Sequence, residues 1–209
     1  MTGRRPLAVR GAGWAQAAAR RLTARGVAPD AISKASLGFA ALALALLWGA
    51  GQVAGWGAAL LFAGAALAVQ GRLLCNLFDG MVAVEGGRGG PEGPFWNEVP
   101  DRPADAAILW GAGLACGAPA LGLGCAAAAL GTAYLRAMSV GLGQGEDFGG
   151  PFAKPQRMAA VTALCGLSAL EAVAFGSRWA MLAGLWLVLG GTLLTAWLRG
   201  RRLLAKLGA

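Results

Sequence analysis

The sequence predicts an all-α, polytopic integral membrane protein: six transmembrane helices preceded by a short N-terminal interfacial helix. Three observations carry this prediction. The 209 residues are 57% hydrophobic and only 13% charged, whereas soluble domains carry about a quarter charged residues. From Ala35 to Gly71 no residue is charged, a run too long for one span of about 20 residues and long enough for two. Gly and Ala are abundant, and such small residues let membrane helices approach closely.

Residues 1–33 form a basic arm containing Arg4, Arg5, Arg10, Arg20, Arg21 and Arg25. Within it, residues 14–25 can form an amphipathic interfacial helix with Trp14, Ala17, Ala18 and Leu22 on one side; a disordered arm is the alternative. Pro29 breaks the chain, and Asp30 or Ser33 can cap the first membrane helix. The membrane domain covers 34–198. Its first two spans, at about 34–50 and 55–83, are separated by WGAGQVAGWG, with Trp48 and Trp56 as interface anchors. The Gly- and Pro-rich stretch EGGRGGPEGP is a loop. Pro100 and Pro103 fit the first turn of a third span, where a missing N–H costs nothing. That span runs to about Gly117, and a fourth ends near Ser139. After a polar loop at 141–157, spans five and six cover about 157–175 and 180–198. A basic tail, 199–209, holds Arg199, Arg201, Arg202 and Lys206.

Charge orients these elements. The net charge is +8. Six spans put both termini, the loop at 84–99 and the loop at 141–157 on one face. That face holds nearly all the basic residues, and the other holds only Arg178. The positive-inside rule places it in the cytoplasm of a cell membrane. Both basic clusters flank apolar spans, which fits anionic lipid rather than nucleic acid. No cleavable signal peptide is expected, because the first long apolar run begins too late. The absence of His excludes Ser-His, Cys-His and His-ligated zinc chemistry. Cys75, Cys116, Cys125 and Cys165 form no C-x-x-C pair and read as small packing residues.

Chemistry concentrates in residues 71–105, which hold six of the ten acidic residues. On a helix, Asn76, Asp79 and Ala83 share a face, and Asp101 and Asp105 share one on the next helix. Two antiparallel helix ends then gather three carboxylates and an amide. All-oxygen donors suit Mg²⁺, Mn²⁺ or Ca²⁺ better than zinc or copper. The alternative is that Asp79 and Asp101 cap helices or pair with Arg72, Arg88 or Arg102.

These residues resemble the signature of the CDP-alcohol phosphotransferase family, Asp-x-x-Asp-Gly-x-x-Ala-Arg followed by Gly-x-x-x-Asp-x-x-x-Asp. The chain reads Asn76-x-x-Asp79-Gly80-x-x-Ala83-Val84, then Asn97-x-x-x-Asp101-x-x-x-Asp105. It departs at Asn76, Val84 and Asn97 and has a longer spacer. The six spans, the basic arm, residues 29–33 and Tyr134-Leu135-Arg136-Ala137 also resemble the family. The resemblance implies one or two divalent ions, Mg²⁺ or Mn²⁺, on Asp79, Asp101, Asp105 and Asn76. It implies a general-base role for Asp105 toward an acceptor hydroxyl. Gly80, Ala83 and Asn97 would line the nucleotide pocket, and Glu85 or Glu98 would compensate for the charge lost at Asn76. Arg136, Lys154 and Arg157 share the predicted face and suit a phosphate of an acceptor or lipid, or are ordinary flanking charge. A CDP-linked donor, a hydroxyl acceptor, a membrane lipid and a homodimeric partner are the partners implied.

Three function classes are consistent with these residues. The first is an enzyme that transfers a phosphatidyl or related group from a CDP-alcohol, such as CDP-diacylglycerol, and releases CMP. The second is a catalytically altered relative that binds lipid or a partner, motivated by Asn76, Val84 and Asn97. The third, a small transporter or channel, finds little support in spans nearly free of charge apart from Glu171.

Overall fold

The computed structural model describes residues 8–85 and 92–208, with the side chains of Ala8, Val9, Glu85, Pro94 and Asn97 excepted. Every regular element among the described residues is helical. A turn of 3₁₀ helix at Ala8–Gly11 leads into α1 (Gly13–Ala24), α2 (Pro29–Ala50), α3 (Gly55–Glu85), α4 (Gly93–Glu98), α5 (Asp101–Ala115), α6 (Pro119–Gly141), α7 (Lys154–Ala174) and α8 (Trp179–Leu207).

The sequence accounts for these boundaries. Four helices begin with Pro at N1 or N2, the position where its fixed φ helps and its missing N–H is harmless. Glycines in the left-handed region come just after the ends of α1, α5, α6 and α7, at Gly26, Gly117, Gly143 and Gly176. Neither expected cap at the start of α2 forms. Asp30 pairs instead with Lys34 at 3.2 Å, and the Ser33 hydroxyl is drawn into the interior.

Five helices, α2, α3, α6, α7 and α8, are long and apolar enough to cross a membrane. The third expected span, α5, has 15 residues, or about 22 Å of helix against a hydrocarbon core of about 30 Å. The described chain enters α5 from α4, a short helix within the stretch expected as loop. The last helix does not stop at Leu198; it runs through the basic segment to Leu207. Residues 86–91, including Arg88, lie outside the described residues.

Six helices close into a ring. α2 packs on α3, α3 on α7, α7 on α8, α8 on α6, α6 on α5, and α5 back on α2. Its interior is filled mostly by small and aliphatic side chains, among them Ala43, Leu47, Phe62, Val69, Ile108, Leu109, Met158, Val161 and Leu185. Close approach depends on glycine at the α5–α6 crossing. A methyl on Gly122 would stand 2.6 Å from the Leu109 carbonyl oxygen, and one on Gly113 would stand 2.7 Å from that of Ala118. α1 lies against α3, where Ala15, Ala19, Ile32, Leu77, Met81 and Val82 form a second apolar cluster. Trp14 meets the edge of Phe78 there, with centroids 6.3 Å apart.

The six ring helices alternate in direction along the chain, so that in the ring α6 runs parallel to α8 and α2 parallel to α5. The end of α3 and the starts of α5 and α7 therefore meet at one end, with the ends of α6 and α8. Most described charged side chains are found there. At the other end Glu171 accepts hydrogen bonds from Ser177 Oγ and from the Trp179 and Ala180 N–H groups. The acid expected inside a span thus caps the first turn of α8, a use of charge that needs no path through the bilayer.

Candidate functional site

The site is built from the charged end of the ring. α3 delivers Arg72, Asn76 and Asp79 from successive turns. α5 delivers Asp101 and Asp105 from its first two turns. α7 delivers Lys154 and Arg157. α2 contributes Ser33, whose hydroxyl donates to Asp79 Oδ2 at 2.8 Å. The Gly80 N–H donates to Asp79 Oδ1. Asp79, Asp101 and Asp105 are all buried, so their charges must be answered locally.

The answers come mainly from cations. Arg72 is fully buried. Its Nη2 donates to Asp101 Oδ1 at 2.8 Å and lies 2.7 Å from Asp105 Oδ1. The second approach is an ion pair without hydrogen-bond alignment, so Asp105 Oδ1 has no protein hydrogen-bond partner. Asn76 Nδ2 donates to Asp101 Oδ1 at 2.5 Å. Lys154 Nζ donates to Asp101 Oδ2. Arg157 stands 3.9 Å from Asp105 Oδ2. Its Nη1 donates to the Phe152 carbonyl and the Thr132 hydroxyl, at 2.8 and 3.3 Å. The pairing of Asp101 with Arg72, one of the two sequence alternatives, is therefore present.

A second basic group adjoins this cluster. Arg199, on α8, donates to the Thr132 carbonyl at 2.8 Å and to the Gly149 carbonyl at 2.9 Å. Arg136 pairs with Glu98, lies 3.9 Å from Glu146 and covers the Phe148 ring at 5.3 Å. Glu98 also takes Arg102. Glu98 is thus engaged with the arginines and not with the aspartates it was expected to supplement. Ala83 is half-buried on α3, while Val84 is exposed. Asn97 belongs to α4, but its side chain and that of Glu85 lie outside the described residues.

The loop between α6 and α7 is fastened to α8. Arg202 grips Asp147 with two nitrogens, at 2.8 and 3.2 Å, and the Phe152 N–H donates to Thr195 Oγ1 at 2.9 Å. Gly150 sits at φ +129° against Thr195, where a methyl would come within 2.3 Å of the threonine side chain. Burial raises the affinity of the Asp147 carboxyl for its proton. The hydrogen bonds from Arg202 and the Gly149 N–H, with the charges of Arg202 and Arg199, outweigh that and hold it below the usual carboxylate value.

Solved structures show what this arrangement is similar to. The phosphatidylinositol phosphate synthase of Mycobacterium tuberculosis, with CDP-DAG bound, superposes with a TM-score of 0.76 at 23% identity over 92% of this chain and 94% of the synthase. The fold is that of a phosphatidylinositol phosphate synthase. The manganese–citrate complex of the synthase gives 0.75 at 22% identity, covering 90% of this chain and 88% of that one. Its apo form gives 0.70 at 22%, covering 88% and 92%. No family model and no curated protein matches the chain by sequence. At this identity, the likeness to the synthase establishes the fold.

The donor set can be weighed against a divalent ion on its own chemistry. Oxygen donors are present on two helices, and Asp105 keeps a buried oxygen without a hydrogen bond. The Lys154 ammonium on Asp101 Oδ2 stands where a cation is accepted. Among the described residues no group of three acids is placed to hold a metal ion; Arg72 and Lys154 hold the two oxygens of Asp101 instead. Three carboxylates face Arg72, Arg157 and Lys154. Arg72 and Arg157 are buried, so withdrawal of Lys154 alone leaves one net negative charge. In their oxygen chemistry and in the open Asp105 oxygen the residues fit a divalent ion.

Sequence reasoning missed two participants: Ser33 was read as a cap and Arg199 as part of a basic tail. Arg72 was weighed as a partner of Asp79 or Asp101, and it lies four residues before Asn76, on the face that carries the motif.

Proposed function

We propose that the chain is a membrane-embedded CDP-alcohol phosphotransferase. It would transfer a phosphatidyl or related substituted phosphoryl group from a CDP-linked donor to a hydroxyl acceptor and release CMP. One observation carries this reading: Asp79, Asp101 and Asp105 are buried together at one end of a helix ring whose fold is shared with a synthase solved with CDP-DAG and with manganese.

In this reading six helices cross the membrane, with the short α5 completing the set. Both termini and the site face the cytoplasm, and α1 lies in the headgroup layer. Asp79, Asp101, Asp105 and the Asn76 carbonyl oxygen would hold Mg²⁺ or Mn²⁺. When bound, the metal would offset the charge of the diphosphate and of the departing CMP.

The remaining work falls to the chain. Ser33 and the Gly80 N–H fix the Asp79 carboxylate. Gly80 and Ala83, with Asn97, form the nucleotide side of the site. Asp105 takes the acceptor proton, and Arg72 holds it at the level of Asp101. Arg157 and Arg199 meet at Thr132, and with Arg136 one turn further along α6 they would suit a phosphate on the acceptor. Two chains would associate through lipid-facing helices.

The purified protein with Mn²⁺ or Mg²⁺ and CDP-diacylglycerol should release CMP when offered a panel of hydroxyl acceptors. Asp105→Asn should abolish release while retaining CDP binding. If the wild type neither released CMP with any acceptor nor bound CDP, the reading would be wrong. If Asp105→Asn preserved the cellular role, a lipid- or partner-binding function would take its place.

A further inference from the structure

The two oxygens of Asp101 are held in different ways. Oδ1 accepts from Arg72 and Asn76, both on α3, and Arg72 is fully buried. Oδ2 accepts from Lys154. That lysine is the first residue of α7 and comes directly after the loop from α6. Its side chain is about a quarter exposed, while that of Arg72 is not exposed at all. An ammonium on a flexible four-carbon stem carries no fixed geometry, in contrast to a planar guanidinium buried between two carboxylates. Arg72 and Asn76 are therefore fixed parts of the acid cluster. Lys154 is the one cation beside Asp101 able to leave without unfolding a helix.

We propose that Lys154 is a tethered counter-cation: it holds Asp101 Oδ2 while the site is empty and competes with the divalent ion for that oxygen. The inference rests on the reading of Asp79, Asp101 and Asp105 as metal donors and says what controls their affinity. A site with one aspartate replaced by Asn76 is already short of negative charge. An internal ammonium lowers its affinity further and keeps the buried carboxylates neutralised when no ion is present. Metal binding and release of Lys154 are then one event. The freed ammonium becomes available to an anionic substrate only after the metal has arrived, so the two binding events are coupled and reciprocal.

The test is Mn²⁺ titration of the purified full-length protein in detergent, monitored by electron paramagnetic resonance, with no substrate present. Lys154→Met removes the charge and keeps the stem, and should bind Mn²⁺ about tenfold or more tightly than wild type. Lys154→Arg keeps the charge and should bind no more tightly than wild type. If Lys154→Met aggregates, Lys154→Gln carries the same expectation. Equal affinity in wild type and Lys154→Met would overturn the proposal and leave the metal site intact. Weaker binding in Lys154→Met would overturn it too, since the lysine would then be helping the ion. Absence of Mn²⁺ binding in every variant would overturn the metal site itself, and the proposal with it.

Discussion

Arg72 reaches Asp101 and Asp105 with one nitrogen, at 2.8 and 2.7 Å, from a side chain with no exposed surface. Its Nε and Nη1 have no protein hydrogen-bond partner. The guanidinium is therefore positioned by charge more than by a full set of hydrogen bonds. Removing one partner of a buried ionic group strands the others, at a cost of about 3–5 kcal/mol. Arg72→Met should lower thermal stability in detergent by an amount of that order. The double change Arg72→Met with Asp101→Asn should recover part of the loss, because one stranded carboxylate is removed.

Ser33 is the one described side chain that donates to Asp79. Its hydroxyl lies 2.8 Å from the carboxylate and 3.3 Å from its own helix carbonyl at Pro29. The shorter, charge-assisted contact wins. Hydrogen bonds to charged groups contribute about 1.5–3 kcal/mol, so Ser33→Ala should lose stability on that scale. Ser33→Thr, which keeps the hydroxyl, should lose less in the same unfolding experiment.

The crossing of α5 and α6 separates helix propensity from packing. Gly→Ala inside a helix gains about 0.8–1 kcal/mol of propensity. At Gly122 the added methyl would meet backbone at 2.6 Å, and overpacking costs about 1–3 kcal/mol. Gly122→Ala should therefore destabilise. Gly124→Ala, on the same helix with nothing within 4 Å of its methyl, should be neutral or stabilising. Thermal unfolding of the two side by side checks this.

The Asp147–Arg202 grip gives the α6–α7 loop an acid sensitivity. The folded-state pKa of Asp147 lies below its ordinary 3.8. The grip therefore contributes fully above that value and is lost as pH falls through the folded pKa. Amide exchange of residues 145–152, corrected for intrinsic rate, should show constant protection from neutral pH to about 5 and a decline only below about 3.8. Asp147→Asn should reduce that protection at neutral pH and remove the acid step.

Much of the fold was legible because its determinants are local. Long uncharged runs, Pro at helix starts and Gly after helix ends marked most boundaries within a few residues. α5 was harder to place: its apolar run was read as a full span, yet the helix is short and begins at Asp101. Its length is set by the Gly117 turn and by burial of its acidic first turns. The site was legible as a set of positions and not as a set of contacts. The periods of two helices put Asn76, Asp79, Asp101 and Asp105 on facing stripes. Which cation meets which acid depends on how α3, α5 and α7 are rotated about their axes. That is why Arg72 and Lys154 emerge as partners of Asp101, Glu98 goes to Arg102 and Arg136, and Arg199 turns inward from what reads as a tail.

The ring order has one more consequence. α3 and α5 carry the two halves of the motif, but α2 stands between them, packed on both. At the level of the site α2 presents Ser33 and Ser36, then Ala40 and Ala43, all buried. The gap between the two halves is thus set by the girth of a third helix, as a shim sets the gap between two plates. Lipids that tilt α2, or a bulky side chain at Ser36, would change the reach from Asp79 to Asp101 without touching either residue. In a bilayer, the thickness of the surrounding lipid would thereby become a dimension of the site.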